Sequence, residues 1–221
     1  VCGCFQNRVS RRQKLIIILQ KNEERRKIEA EALRRNTKGT LVYRYGPVFV
    51  LLLNTGLRAG EICALAQSDV DQNRELLHVT KTAITVKDET GHWKTMIENH
   101  PKTEKSNRYV PLNDKSRDMI CILEEEVSQN STLVVSTTTG GITPPTALNK
   151  SLDRILHASG VQKKGGVHAL RDTFATALFN NGTDIFTVSA LLGHASSKVT
   201  EQHYVKVLDQ RKMRAVQIME I

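Results

Sequence analysis

Two arginines, two histidines and a late tyrosine stand in an order suited to phosphate chemistry. Arg58 lies in Thr55-Gly56-Leu57-Arg58-Ala59-Gly60-Glu61, and His168 and Arg171 share His168-Ala169-Leu170-Arg171. His194 closes Leu191-Leu192-Gly193-His194, and Tyr204 closes Thr200-Glu201-Gln202-His203-Tyr204. A phosphodiester under attack gathers negative charge, and a guanidinium suits it because its planar fork binds two oxygens and keeps its proton. His168 and Arg171 are three apart on one expected helix, so both side chains point the same way. His168 could hydrogen-bond a phosphate oxygen or take a proton from the nucleophile. The glycine before His194 ends a helix and leaves that imidazole on a loop facing a cleft. A tyrosine phenol has a pKa of about 10, so Tyr204 needs nearby cations and a base to become a nucleophile. The leaving sugar alcohol needs a proton, and Lys102, on a polar hairpin tip, is the candidate acid. Lys105 is its rival on the same loop. There is no carboxylate cluster to hold magnesium. A tyrosine ester would conserve the energy of the broken strand, so neither metal, ATP nor any other cofactor is expected.

Each of these residues alone has a plainer use. An arginine after a turn is usually a solvated charge or a helix cap. A lone histidine is usually a satisfied surface or core residue, and a late tyrosine is usually packing. The joint occurrence, in order, outweighs those single readings.

Helices must carry most of the set. The segment 22–35 reads as an amphipathic helix with Ile28, Ala32 and Leu33 on its apolar face. Thr40 to Thr55 reads as a strongly apolar helix with Val42, Val48, Leu51 and Leu52 inward. Gly46-Pro47 kinks it or delays its start, and Gly56 ends it. A second helix then runs from Gly60 to Ala66. The middle changes in kind: Leu76 to Val86, Trp93 to Ile97 and Arg108 to Leu112 read as strands, with a turn at Glu89-Thr90-Gly91. The last two strands flank Pro101 to Ser106, which reads as a hairpin tip. Helices return over Asp114 to Ser128, Thr143 to about Ser159 with proline in the first turn, and Val167 to Asn181. Thr183 or Asp184 caps the next, which Gly193 ends. A short helix would carry Tyr204, and Leu208 to Glu220 reads as a terminal amphipathic helix. The expected fold class is α+β, mainly helical with a small antiparallel sheet.

The 221 residues are enough for one full domain and a short appendage. A formal net charge of +9 favours a polyanionic partner, with nucleic acid ahead of an anionic membrane surface. The 39% hydrophobic content is ordinary for a folded protein and argues against disorder. Cys2, Cys4, Cys63 and Cys121 form no CxxC pair, so zinc is not expected and reduced thiols in a cytoplasmic protein are. The apolar runs Leu15 to Leu19 and Val48 to Leu53 are far too short to span a bilayer. No signal peptide is recognisable. Residues 1–36, rich in Arg, Lys, Glu and Gln, read as a linker with its leading helix, at the edge of a missing upstream domain. Residues 37–221 read as the catalytic domain.

At this point the chain resembles the catalytic domain of the tyrosine recombinases, or phage integrases. The segment Thr55 to Glu61 is similar to the family's first-arginine motif. His168 to Thr176 is similar to its His-x-x-Arg block, and Leu191 to Tyr204 to its final block with the nucleophile. Pro101-Lys102-Thr103, followed by Arg108-Tyr109-Val110-Pro111-Leu112, is similar to the segment bearing the family's lysine. The resemblance runs from about Glu29 to the C-terminus, and its sheet region is most like that of conjugative-transposon and temperate-phage integrases. It implies a helical domain with a small three-stranded antiparallel sheet. It further implies that Arg58, Lys102, His168, Arg171 and His194 line a scissile phosphate of double-stranded DNA, and that Tyr204 attacks it. The product would be a 3′-phosphotyrosyl link and a free 5′-hydroxyl. Strand exchange in a homotetramer on paired sites would follow, with the C-terminal helix docked on a neighbouring subunit and accessory DNA-bending or excision factors as further partners. The host setting would be bacterial or phage-encoded. Asp172 departs from the family, which often has a second histidine there, and the expected effect is on packing. The helical DNA-binding domain that usually precedes this one is not among these residues. Alternatives are a type IB topoisomerase-like nicking and closing activity, a non-cleaving DNA-binding protein of this fold, and a plain helical regulator.

Overall fold

Val48 to Leu53 are six consecutive apolar residues, and every one is buried. Such a helix is apolar all round and must lie at the centre of its domain. In the computed structural model, which describes residues 22–99, 107–161, 166–194 and 200–201, it does so. This helix, α2 (Gly46–Thr55), packs against α1 (Asn22–Ala32), α4 (Asp114–Glu126), α5 (Pro145–Ala158) and α6 (His168–Asn180). Short α3 (Ala59–Ala64) follows α2 directly, and α7 (Ile185–Leu192) leans on α6. Pro47 sits in the first turn of α2, where its missing N–H costs nothing. That start leaves Val42 outside the helix and 37% exposed, against the expectation that it faces inward.

Local signals set most helix ends. The Asn113 side chain accepts from the Ser116 N–H to open α4, and Asp184 accepts from the N–H groups of Phe186 and Thr187 to open α7. Of the two candidates for that cap, Asp184 therefore holds it. The main core joins α1 to α5 through Ile28, Ala32, Leu51, Leu52, Leu123 and Leu152. Ile28 and Ala32 within it tie the leading helix to the rest. A smaller cluster, Ala175, Phe179, Val188 and Leu192, fixes α7 on α6. Buried Cys63 is pushed up to about 12 by its burial, so its thiol is inert, whereas Cys121 is exposed.

The strands differ from the sequence reading. Leu76 to Val86 is two strands, β2 (Leu76–Val79) and β3 (Thr82–Lys87). The expected tip at 101–106 lies outside the described residues, and the two strands flanking it, Trp93–Glu98 and Arg108–Pro111, are not paired with each other. Instead β3 pairs antiparallel with β4 (Trp93–Glu98), and β5 (Arg108–Pro111) returns to β2. With β1 (Val70–Asp71) this gives a three-stranded antiparallel sheet, β1-β2-β5, and a separate two-stranded ribbon. The turn at Asp88, whose carboxylate accepts from the N–H groups of Thr90 and His92, closes β3 on β4. Strand β5 takes an edge of β2 rather than the second edge of β4. Among the described residues, no helix is long and apolar enough to cross a membrane.

Candidate active site

Helix α2 ends at Gly56, in the left-handed region with φ 65°. A Cβ there would stand 2.4 Å from Cδ1 of Phe174 on α6, so only glycine lets the two helices meet. The chain then turns, and Arg58 becomes the N-cap of α3. Its backbone N–H donates to Glu61 Oε2 at 2.8 Å, and its Nη1 donates to Glu61 Oε1 at 2.6 Å. Glu61 is buried and also receives Arg108 of β5. Arg108 Nη1 and Nη2 each donate to one carboxylate oxygen at 2.9 Å, a bidentate pair. Burial works against the Glu61 charge. The hydrogen bonds and charge of Arg108, then the charge and backbone N–H of Arg58, prevail and hold its carboxyl down to about 2.

The C-terminal end of α7 explains why three arginines meet here. The last carbonyls of a helix lack partners within it and carry the negative end of its dipole. The Ser189 and Ala190 carbonyls accept from the backbone N–H groups of His194 and Gly193. The next three each accept from a different guanidinium: Leu191 from Arg108 at 2.8 Å, Leu192 from Arg171 at 2.5 Å, and Gly193 from Arg58 at 3.3 Å. Arg171 also donates Nη1 to the Gly56 carbonyl at 2.7 Å, so it ties the end of α7 to the end of α2. It is 2% exposed, a buried cation held by two helix termini. Gly193, at φ 65°, turns the chain out of α7. A Cβ on it would stand 3.0 Å from Arg108, so its bareness makes room for that side chain.

His194 emerges from this turn with its Nδ1 2.7 Å from the hydroxyl of Thr200, which is fully buried. That contact restrains the ring on the turn that follows α7. His168 opens α6 one turn before Arg171, with a side chain 73% exposed and Nε2 3.9 Å from the Asp172 carboxylate. Asp172 thus faces His168 along the same helix.

Four of the six residues singled out from the sequence therefore sit on connected elements: Arg58, Arg171 and His194 through the end of α7, and His168 through α6. Lys102, its rival Lys105, and Tyr204 lie outside the described residues, as does the terminal helix expected over Leu208 to Glu220. The sequence reading gave no role to Glu61, Arg108 or Thr200. A signal for Arg108 was present: strand alternation places it on the face of Val110, and both are buried while Tyr109 and Pro111 are exposed. An arginine on an inward face needs buried acceptors beside it, a carboxylate or unpaired carbonyls. Thr200 had no comparable local signal. Among the described residues, no group of three or more His, Cys, Asp or Glu side chains is arranged to hold a metal ion.

The site is thus a cationic cluster at converging helix ends, in a helical domain that carries a small antiparallel sheet. The solved structures share this fold. The Tn1549 transposon integrase in complex with circular intermediate DNA superposes with a TM-score of 0.72 at 18% identity, covering 90% of this chain and 67% of that one. The XerA recombinase superposes with a TM-score of 0.67 at 23% identity, covering 88% and 62%. Residues 20–211 match the phage integrase family, and the chain belongs to that family. A tyrosine recombinase XerC-like protein of Caldanaerobacter subterraneus subsp. tengcongensis is 32% identical over 207 residues, 86% of this chain and 52% of that protein. The chain spans about half the length of the curated relatives it matches.

Proposed function

We propose that residues 37–221, with the entry helix of the 1–36 segment packed on their core, form the catalytic domain of a site-specific DNA recombinase or integrase. The observation that carries this reading is the joining of Arg58, Arg171 and His194 at one helix end, in a chain of the phage integrase family. The formal net charge of +9 supports double-stranded DNA as the substrate.

The chemistry follows from these residue types. Arg58 binds the non-bridging oxygens of the scissile phosphate, and Arg171, buried behind it, adds its positive charge to stabilise the charge that builds there. His194 donates a hydrogen bond to one of those oxygens, and His168 takes the proton of the Tyr204 phenol. The phenolate oxygen attacks phosphorus, a 3′-phosphotyrosyl bond forms, and the bond to the 5′ oxygen breaks. Lys102 gives its proton to the departing 5′ oxygen, which leaves as a hydroxyl. Because the ester keeps the energy of the broken bond, a 5′-hydroxyl from another strand reverses the step and rejoins DNA without ATP or metal. Two sites synapsed by a homotetramer, with each C-terminal helix docked on a neighbour, would turn this cleavage into strand exchange. Accessory DNA-bending or excision factors would set its direction.

A nicked duplex, bearing a site selected from random sequence by binding to this chain, tests the reading. Cleavage beside the nick loses the short fragment and traps a denaturant-resistant protein–DNA adduct. The adduct should form with the wild-type chain and vanish in Tyr204→Phe. Sulfur at the bridging 5′ position should restore cleavage to Lys102→Ala. No adduct, or rescue that instead tracks Lys105, contradicts the assignment. Relaxation of plasmids that lack the selected site would mark a topoisomerase.

A further inference from the structure

The pair Glu61–Arg108 is the most deeply buried ion pair among the described residues, with both side chains 6% exposed. Arg58, the third member, has a side chain 39% exposed. One carboxylate thus lies between an inner guanidinium that cannot reach the surface and an outer one that can. Both Glu61 oxygens accept from Arg108, so the inner arginine cancels the acid within the protein. Arg58 Nη1 shares that carboxylate at 2.6 Å, so the two guanidiniums and the one acid leave a net positive charge, and Arg58 is the member on the outer side. Without the inner cation, Glu61 would be paired by Arg58 alone, and that outer pair would offer no net charge to an arriving anion. Arg108 also holds the Leu191 carbonyl, beside the Leu192 and Gly193 carbonyls held by Arg171 and Arg58.

We propose that Arg108 is a positioning residue for phosphodiester cleavage: by neutralising Glu61 and mooring the end of α7, it keeps Arg58 turned toward the DNA phosphate. This rests on the recombinase reading for the identity of the anion. Arg108 touches no substrate and acts through Glu61 and Arg58.

The test is a double-mutant cycle on adduct formation at saturating nicked duplex, with wild type, Arg108→Gln, Glu61→Gln and the double variant. Arg108→Gln should slow adduct formation at least about tenfold, the size expected when a donor to the reacting phosphate is misplaced. Its half-saturating DNA concentration should stay within about threefold of wild type, because the other phosphate contacts persist. In the Glu61→Gln background there is no charge for Arg108 to cancel, so adding Arg108→Gln should slow the reaction no more than about threefold. An equal loss in both backgrounds would overturn the proposal, since a purely structural arginine weakens the fold whatever faces it. If Arg108→Gln alone does not fold, comparing Glu61→Gln with the double variant decides the matter: a further tenfold loss refutes it and near-equality supports it. A wild-type chain that forms no adduct removes the recombinase reading together with this one. An adduct whose rate is unmoved by Arg108→Gln removes this one alone.

Discussion

Arg171 joins two helix ends with a geometry that lysine cannot copy. Its fork reaches the Gly56 and Leu192 carbonyls at once, and a single ammonium would leave one of them unpaired in the interior. Arg171→Lys should therefore cost about 2 kcal/mol of stability, read as a lower urea midpoint with an unchanged slope. An unchanged midpoint would mean that the tie between α2 and α7 contributes nothing. Glu61 makes a pH-dependent contribution. Its folded carboxyl is held at about 2, below the ordinary 4.5. The stability gained is full above about 4.5 and is lost as pH falls toward about 2. Glu61→Gln should thus be less stable than wild type by on the order of 3 kcal/mol at neutral pH. The gap should shrink in urea denaturation as the pH drops below about 4.5. A gap that stays constant down to pH about 3 would show that the acid is not held charged by its two arginines.

At the scale of elements, helix punctuation was legible in the sequence and strand pairing was not. Gly46-Pro47, Gly56, Asn113, Asp184 and Gly193 each act on their nearest neighbours, so their roles can be read residue by residue. The choice of β2 rather than β4 as partner for β5 joins segments far apart in the chain, so no local signal decides it. The site divides the same way. The two histidines and two arginines announced themselves by spacing within short motifs. The partner of Arg108 did not, because Glu61 on α3 and Arg108 on β5 are far apart in the chain and meet only once it is folded. Gly56→Ala tests the close approach of α2 and α6. It combines a left-handed backbone with a methyl group placed 2.4 Å from Phe174. Thermal denaturation should report a loss of about 2–4 kcal/mol, above the roughly 1 kcal/mol of backbone strain alone. A loss no larger than the strain would mean that Phe174 moves aside freely.

For the whole molecule, the arrangement is a cationic cluster set at one end of a central apolar helix and braced by the ends of its neighbours. Such a domain should hold DNA largely through phosphate contacts, which release counterions. Its affinity for a duplex should fall at least about a hundredfold between about 50 and 200 mM salt, measured by fluorescence anisotropy. A flat salt response would remove DNA as the polyanion. The central claim is that this cluster serves a tyrosine attacking a phosphodiester. Nuclease and trypsin digestion of the trapped adduct, followed by mass spectrometry, tests it most directly. The account predicts a nucleotide joined through its 3′-phosphate to the peptide containing Tyr204; a nucleotide on Tyr109, His203 or any other residue would contradict it.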